Sequence, residues 1–325
     1  MLSGVRSPLV TLDIFLLTHN RPHQAFEAIK SIIAQDDCRY NLVVSDNSDD
    51  ETLGQLIEAH KNSYSQLSNV SYRKRTPVVQ AFDHFNICLN ETQSDYVCLF
   101  HDDDLMLPQF VSRVRDAIAK YPNAVAYGAN SLTEINGVAG KFFFTSDREY
   151  LINNSSRKLL ARYFARYQLG VAPFPSYVYK SSAIQDFRFD SGWGKYGDVT
   201  WLLSVACRGF VIWINEPLMI YRLHDGNDSL TESRRDRLRF LAFLKRNIEV
   251  FSKGLLSDYR FFLYKKNLPN LLHENKNRRR AAILRKYMSS YRIFRWLRLD
   301  HYGYLLNKLK VRVYLHWSRL FNDHG

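Results

Sequence analysis

Cysteine is scarce in this chain. Four stand among 325 residues, Cys38, Cys88, Cys98 and Cys207, and no two form a C-x-x-C pair. A disulfide scaffold and a paired-cysteine zinc site are therefore excluded. Their apolar neighbours mark them as reduced core residues of a cytoplasmic protein. There is no H-E-x-x-H, no G-x-x-x-x-G-K-[ST], and no G-x-G-x-x-G after the first apolar run. Those gaps remove support for zinc peptidases, P-loop ATPases and dinucleotide dehydrogenases. No stretch approaches the ~18 consecutive apolar residues of a membrane span. The apolar run Val10 to Leu17 is interrupted by Asp13 and followed by His19-Asn20-Arg21. It reads as a buried strand and not as a signal peptide. There is no internal repeat and no long Gly/Ser-rich linker.

What is present is an ordinary globular composition with an uneven charge. Hydrophobic residues make up 46% and charged residues 24%, enough for a sizeable core. The length allows one large domain or two. Net charge is +13, but residues 231–325 hold 23 Lys+Arg against 7 Asp+Glu, a net of +16. The other 230 residues hold 22 against 25, a net of −3. A nearly neutral body thus carries a strongly basic tail, which points to an anionic partner for the tail.

The first 130 residues alternate between two hydrophobic periods. Thr11–Leu17, Asn41–Ser45, Val70–Arg73, Asp95–Phe100 and Ala124–Tyr127 are strand-like. Between them lie helical stripes, two opened by Pro22 and Pro108 at positions suited to a first turn. This β-α-β-α order predicts an α/β fold, a mostly parallel sheet with helices on both faces. Ligands of such sheets bind at the carboxyl ends of the strands. Thr18–Arg21, Asp46–Asp50 and Asp102–Asp104 all fall at those ends. Residues 131–230 are mixed. Phe142–Phe144, Ser176–Tyr179, Phe210–Ile214 and Leu218–Leu223 are strand-like, Ser155–Tyr167 is helical, and Asp198–Cys207 reads as a helix closed by Gly209.

The acidic run carries the most specific chemistry. Three adjacent carboxylates repel one another, so the cluster costs stability unless a cation sits there. Oxygen ligands of this kind suit Mg²⁺ or Mn²⁺, which leave positions open for phosphate oxygens.

Four motifs in order resemble the family-2 glycosyltransferases of the GT-A fold. They are T-H-N-R-P at 18–22, V-V-S-D-N-S-D-D-E-T at 43–52, Y-V-C-L-F-H-D-D-D-L-M-L-P at 96–108, and F-R-F-D-S-G-W-G-K-Y-G-D-V-T-W-L-L at 187–203. The last continues to Y-R-L-H-D-G-N-D-S at 221–229. The resemblance covers about residues 10–230. It implies a nucleotide-sugar donor, a divalent metal (Mn²⁺ or Mg²⁺) and inversion at the anomeric carbon.

The resemblance also implies roles. Thr18, Asn20 and Arg21 match the segment that cradles the nucleotide, and Asp46 the acid that meets the base. Asn86 matches a polar position facing the nucleotide. Asp102 corresponds to the ribose contact, Asp103 to the metal ligand and Asp104 to its support, while His224 matches a histidine that reaches the metal or diphosphate. His101 stands where many members have the motif's first Asp. Asp198 matches the second position of an acidic pair and so the catalytic base, with Gly197 departing from the usual Glu. The competing reading makes Asp198 the N-cap of its helix. Trp193, Tyr196 and Trp201 flank Asp198, and their faces could stack on an acceptor sugar or fill the core.

In the tail, Asn275 to Leu299 has nine Lys+Arg and no acid. Leu284, Tyr287, Met288, Tyr291 and Phe294 fall on one helical face, the pattern of a membrane-surface helix. The chain is thus expected to comprise a catalytic domain over 1–230, with a nucleotide-sugar half near 10–130 and an acceptor half near 131–230, and a basic helical extension over 231–325 that either binds a membrane surface or packs on the catalytic domain. Its expected partners are a nucleotide-diphosphate sugar, a glycan or lipid-linked glycan acceptor, and an anionic membrane surface at the inner face of the cytoplasmic membrane. No nucleic acid is expected, since no RNA module is visible. Two alternatives stand beside this: a nucleotidyltransferase, which would carry a glycine-rich loop absent from Thr18–Pro22, and a non-enzymatic basic protein binding nucleic acid or membrane.

Overall fold

Leu12–Thr18 forms strand β1, and all seven of its residues are buried. A strand buried on both faces belongs at the centre of a covered sheet. In the computed structural model, residues 10–164, 170–224 and 233–251 are described, with 256, 259, 260, 262 and 263 beyond them. From β1 the chain runs through α1 (Pro22–Ile33), β2 (Asn41–Asp46), α2 (Thr52–His60), β3 (Ser71–Lys74), α3 (Ala81–Glu91), β4 (Tyr96–His101), β5 (Leu105–Met106) and α4 (Phe110–Lys120). It continues with β6 (Ala126–Ile135), β7 (Val138–Phe142), β8 (Tyr150–Asn153), α5 (Ser156–Phe164), β9 (Val178–Lys180), α6 (Ser181–Ile184), α7 (Gly197–Val205), β10 (Val211–Leu223) and α8 (Arg234–Arg246). Pro22 does occupy the first turn of α1.

The strands make one sheet in the order β3-β2-β1-β4-β9-β6-β10-β5, with β7 on β6 and β8 on β10. The first four are parallel. β9 runs antiparallel between β4 and β6, and β10 is parallel to β6. β5 and β8 are antiparallel to β10, and β7 to β6. The sheet is therefore mixed, where the sequence pattern predicts a mostly parallel one. The antiparallel members are short: β5 has two residues, β9 three, β8 four and β7 five. Such lengths carry almost no periodic signal. The two strands expected at 210–214 and 218–223 are one, β10, whose register shifts on either side of Pro217. Proline cannot donate to the ladder, so the irregularity sits there.

Alternate residues of β1 feed two cores. Leu12, Ile14 and Leu16 pack with Ile29 and Ile32 of α1 and Val114 and Ile118 of α4. Phe15 and Leu17 share the opposite core with Trp201 and Leu202 of α7 and with Phe240, Leu241 and Leu244 of α8. Helix α8, entered through a Ser233–Asp236 capping box, thus completes a core of the sheet. A boundary at residue 230 cuts through this shared core. The basic segment 275–299 lies outside the described residues. Among those described, no helix is long and apolar enough to cross a membrane.

Asp13, which breaks the apolar run, is 6% exposed. Its carboxylate accepts from the backbone N–H groups of Gln93 and Ser94, the Ser94 hydroxyl and the Asn41 amide. Four donors make a buried acid tolerable and tie the amino ends of β1, β2 and β4 together. Cys88 and Cys98 are buried as expected, whereas Cys38 and Cys207 are exposed. The carboxyl ends of β1, β2, β3, β4, β6 and β10 share one edge. Helices α3 and α7 lead into β4 and β10, so their amino ends lie at that same edge.

Candidate active site

The loops after β1 and β2 are locked together. Asn47 donates its backbone N–H to the Thr18 carbonyl at 3.0 Å. Asn20 sits at φ 56°, a left-handed conformation asparagine tolerates. Its amide donates to Asp49 Oδ2 at 2.7 Å, and its backbone N–H donates to Ser48 Oγ at 2.8 Å. Asp46 closes the base of this cradle. Its carboxylate accepts from Ser48 N at 2.9 Å and the Tyr72 hydroxyl at 2.7 Å, with Lys74 Nζ at 3.6 Å. The side chain has no exposed surface, so any ligand reaches it only where Tyr72 and Lys74 yield.

The acidic run follows β4 directly, and all three carboxylates are buried. Asp102 accepts from His19 N at 3.1 Å and Arg21 Nη1 at 3.2 Å. Asp103 Oδ2 accepts from the same Arg21 nitrogen at 2.9 Å and lies 3.1 Å from His224 Nε2. Asp104 Oδ1 accepts from Arg222 N at 3.1 Å. Its Oδ2 is buried without a hydrogen-bond partner, and so is His101 Nε2. Ligand atoms of His101, Asp103 and Asp104 all lie within 4.8 Å of one another.

The charges in this cluster are uneven. Burial raises the Asp104 pKa well above the usual carboxylate range, helped by Asp103. Burial also raises that of Asp102, against the pull of Arg21. Burial opposes ionisation of Asp103 too, but His101, Arg21 and His224 outweigh it and hold its pKa low. Buried polar atoms left unpaired cost free energy, and two of them belong to residues of this cluster. A divalent cation meets that need, so the donor set fits one. Its third member is His101, where the sequence reading placed His224. The latter bonds to the Asp103 carboxylate, the arrangement by which neighbours orient a ligand.

Asp198 lies in the first turn of α7, whose N-cap is Tyr196, so it is not the cap itself. Val199 N donates to Asp198 Oδ1 at 2.7 Å. The carboxyl is half-buried, and burial lifts its pKa to about 6, with the Val199 bond working the other way. Of the three aromatics nominated around it, Tyr196 and Trp201 are buried in the core and Trp193 is half-buried at its edge. Trp201 is 2% exposed and stacks on Phe189 at 4.3 Å. Tyr196 is buried against Phe240 at 5.0 Å, and Trp193 meets Phe243 edge-on at 5.1 Å. Both partners come from α8, which the sequence reading placed in the C-terminal extension. Asn86 also departs from expectation. Its amide donates to Phe189 O at 3.0 Å and accepts from Phe189 N at 2.8 Å, so both ends are committed to backbone.

Arg222 was missed. Besides its N–H bond to Asp104, its guanidinium donates to the Asp103 carbonyl and to Glu27. It braces the acidic loop from β10 and sits inside the Y-R-L-H string at 221–224, two residues before His224. That proximity was the available signal.

Residues 13–169 match the family model described as Glycosyl transferase family 2. The dTDP-rhamnosyl transferase RfbG of Shigella flexneri is 24% identical over 223 residues, 65% of this chain and 72% of that protein. The fold is similar to S. aureus TarS 1-349 in complex with UDP-GlcNAc, with a TM-score of 0.62 at 11% identity, covering 82% of this chain and 76% of that one. It is also similar to the mannosyltransferase PcManGT from Pyrobaculum calidifontis in complex with GDP-Man and Mn²⁺, with a TM-score of 0.53 at 14% identity, covering 91% and 85%.

Proposed function

We propose, from the family-2 match over residues 13–169 and the GT-A-like fold, that the chain is a metal-dependent, inverting family-2 glycosyltransferase whose donor is a UDP- or dTDP-sugar. The observation that carries the metal reading is the pair of unpartnered buried polar atoms, Asp104 Oδ2 and His101 Nε2, on residues that cluster with Asp103. A divalent cation bound there supplies positive charge against the diphosphate leaving group. A donor set of one imidazole and two carboxylates favours Mn²⁺ over Mg²⁺, since Mg²⁺ takes oxygen ligands almost alone.

The residues of the chain divide the remaining work. Thr18 and Asn20 shape the nucleotide cradle. Arg21, held by Asp102 and Asp103, is placed to turn to a diphosphate oxygen. Asp102 meets the ribose, and Asp46 accepts from the N–H of a pyrimidine base once Tyr72 yields. Asp198 removes the proton of the acceptor hydroxyl as that oxygen attacks the anomeric carbon. A pKa of about 6 makes it ionised at neutral pH yet basic enough to take a proton. Attack from its side, opposite the leaving diphosphate, inverts the configuration, by the facial logic of inverting glycosidases. The acceptor is a glycan or lipid-linked glycan of a surface polysaccharide. The basic tail holds the enzyme at an anionic membrane face.

A donor screen tests this. The protein is incubated with Mn²⁺, a panel of UDP-, dTDP- and GDP-sugars and lipid-linked acceptors, and nucleotide diphosphate release is measured. Acceptor-dependent release from a UDP- or dTDP-sugar, abolished by EDTA, is expected. Release from none, or release indifferent to EDTA, rejects the reading.

A further inference from the structure

Of the aromatics nominated around Asp198, Tyr196 and Trp201 are buried in the core, and the half-buried Trp193 packs edge-on against Phe243 of α8. We propose that Phe82 is the platform on which the acceptor pyranose stacks beside Asp198. This rests on the glycosyl-transfer reading above.

Phe82 lies in the first turn of α3 and is half-buried. It touches the turn that carries Asp198. A Cβ added to Gly197 would lie 2.2 Å from Phe82 Cζ, with Cε2 and Cε1 at 2.7 and 2.8 Å. Glycine at 197 is therefore what admits the ring, and any side chain there competes with it for one volume. Phe82 takes the place next to the base that a residue at 197 would otherwise fill.

The ring's plane is fixed from behind. Trp201 stacks on Phe189 at 4.3 Å and 12°, and Phe189 is near-parallel to Phe82 at 5.8 Å and 6°. Trp201 is 2% exposed and Phe189 5%, while Phe82 is half-buried, so the stack runs outward from the core toward Phe82. A ring held in this way loses little freedom when a ligand arrives. The apolar C–H face of a pyranose suits such a surface.

The position also links the two halves of the crevice. Val79 exchanges two 2.9 Å hydrogen bonds with the Asn47 amide, which ties the approach to α3 onto the loop after β2. Phe82 follows three residues later. The platform thus stands between the nucleotide cradle and Asp198, where an acceptor hydroxyl must meet the donor.

Methyl rhamnoside, glucoside and N-acetylglucosaminide serve as soluble acceptor probes. Saturation-transfer NMR reads their binding, and calorimetry with nucleotide diphosphate plus Mn²⁺ reads the donor side. Phe82→Leu, checked for folding by its melting curve, should weaken pyranoside binding ~3–10-fold, the scale of one aromatic contact. Phe82→Tyr should keep it, and the dissociation constant for the nucleotide should move less than twofold in both. Gly197→Ala should weaken pyranoside binding alone and add little in the Phe82→Leu background, the signature of a shared volume. Unchanged pyranoside binding in Phe82→Leu, an equal loss on the nucleotide side, or no pyranoside binding by wild type overturns the proposal. If nucleotide with Mn²⁺ fails to bind wild type, it is the transfer reading that fails.

Discussion

The two sides of the crevice are built from opposite materials. At the ends of β1, β2 and β4, polar groups crowd together, and His19, Arg21, Arg222 and His224 satisfy most of what three buried carboxylates need. At the amino end of α7 stands a single carboxylate, and burial pushes it to a pKa of about 6 against the pull of the Val199 N–H. The first side is made to hold a cation and a polyanion. The second is made to hold a neutral sugar and move one proton. Low polarity is a hazard on the first side and the source of basicity on the second.

The sharpest way to break the first side is Asp103→Ala. It removes the carboxylate that joins Arg21, His224 and the proposed cation. Transfer should fall below detection, and nucleotide binding should lose its dependence on Mn²⁺ in calorimetry. Metal-dependent turnover within tenfold of wild type would refute the metal assignment.

Asp198→Asn does the same to the second side. Turnover should drop ~10²–10⁴-fold, the scale of a lost general base, while nucleotide affinity holds. The pH dependence follows from the raised pKa. The carboxylate is needed as the base, so the wild-type rate should climb through pH 6 and level off above it. Stability runs the other way. A carboxyl whose folded pKa is raised contributes most to stability below its unfolded value, and that contribution is lost as pH rises through about 6. Asp198→Asn should therefore melt no lower than wild type at pH 7.5. Lower melting there would mean that the carboxylate is structural.

The acidic side was readable from sequence and the aromatic side was not, for physical reasons. T-H-N-R-P, D-N-S-D-D and H-D-D-D each follow a strand of a β-α-β run, and the handedness of such runs delivers their ends to one edge. Little but local order was needed. The fate of Trp201, Tyr196 and Trp193 depends on Phe189, Phe240 and Phe243. Two of those come from α8, some fifty residues on, and aromatic rings serve a core or a ligand equally well. His101 was visible as an oddity before the acids. Its ligand role needed the geometry that leaves Nε2 unpaired. β9, three residues long, decides where the parallel order ends and carries no period of its own.

The tail separates the two sides in another way. Truncation after residue 230 removes α8 and uncovers the core around Tyr196 and Trp193, so the product should be insoluble or melt well below wild type. Truncation after residue 263 keeps α8. It removes 15 basic and 3 acidic residues, a net of +12. That protein should bind nucleotide normally but lose affinity for anionic vesicles at low salt. Equal vesicle binding by the two forms would reject the membrane role.

The smallest expected effect sharpens the division of labour around the cation. His224 Nε2 lies 3.1 Å from Asp103 Oδ2, while His101 Nε2 has no hydrogen-bond partner. If His224 orients a ligand and His101 is one, the two substitutions differ in kind. His224→Gln keeps a donor for Asp103 and should lower Mn²⁺ affinity ~10-fold or less, the lower end of outer-shell losses. His101→Phe preserves the ring packed against Phe85 and Phe174. It deletes the nitrogen donor, so Mn²⁺ should bind far more weakly and the preference over Mg²⁺ should shrink. Mn²⁺ titration followed by electron paramagnetic resonance reads both affinities without any turnover. A larger loss in His224→Gln than in His101→Phe would reverse the two roles and return His224 to the coordination sphere.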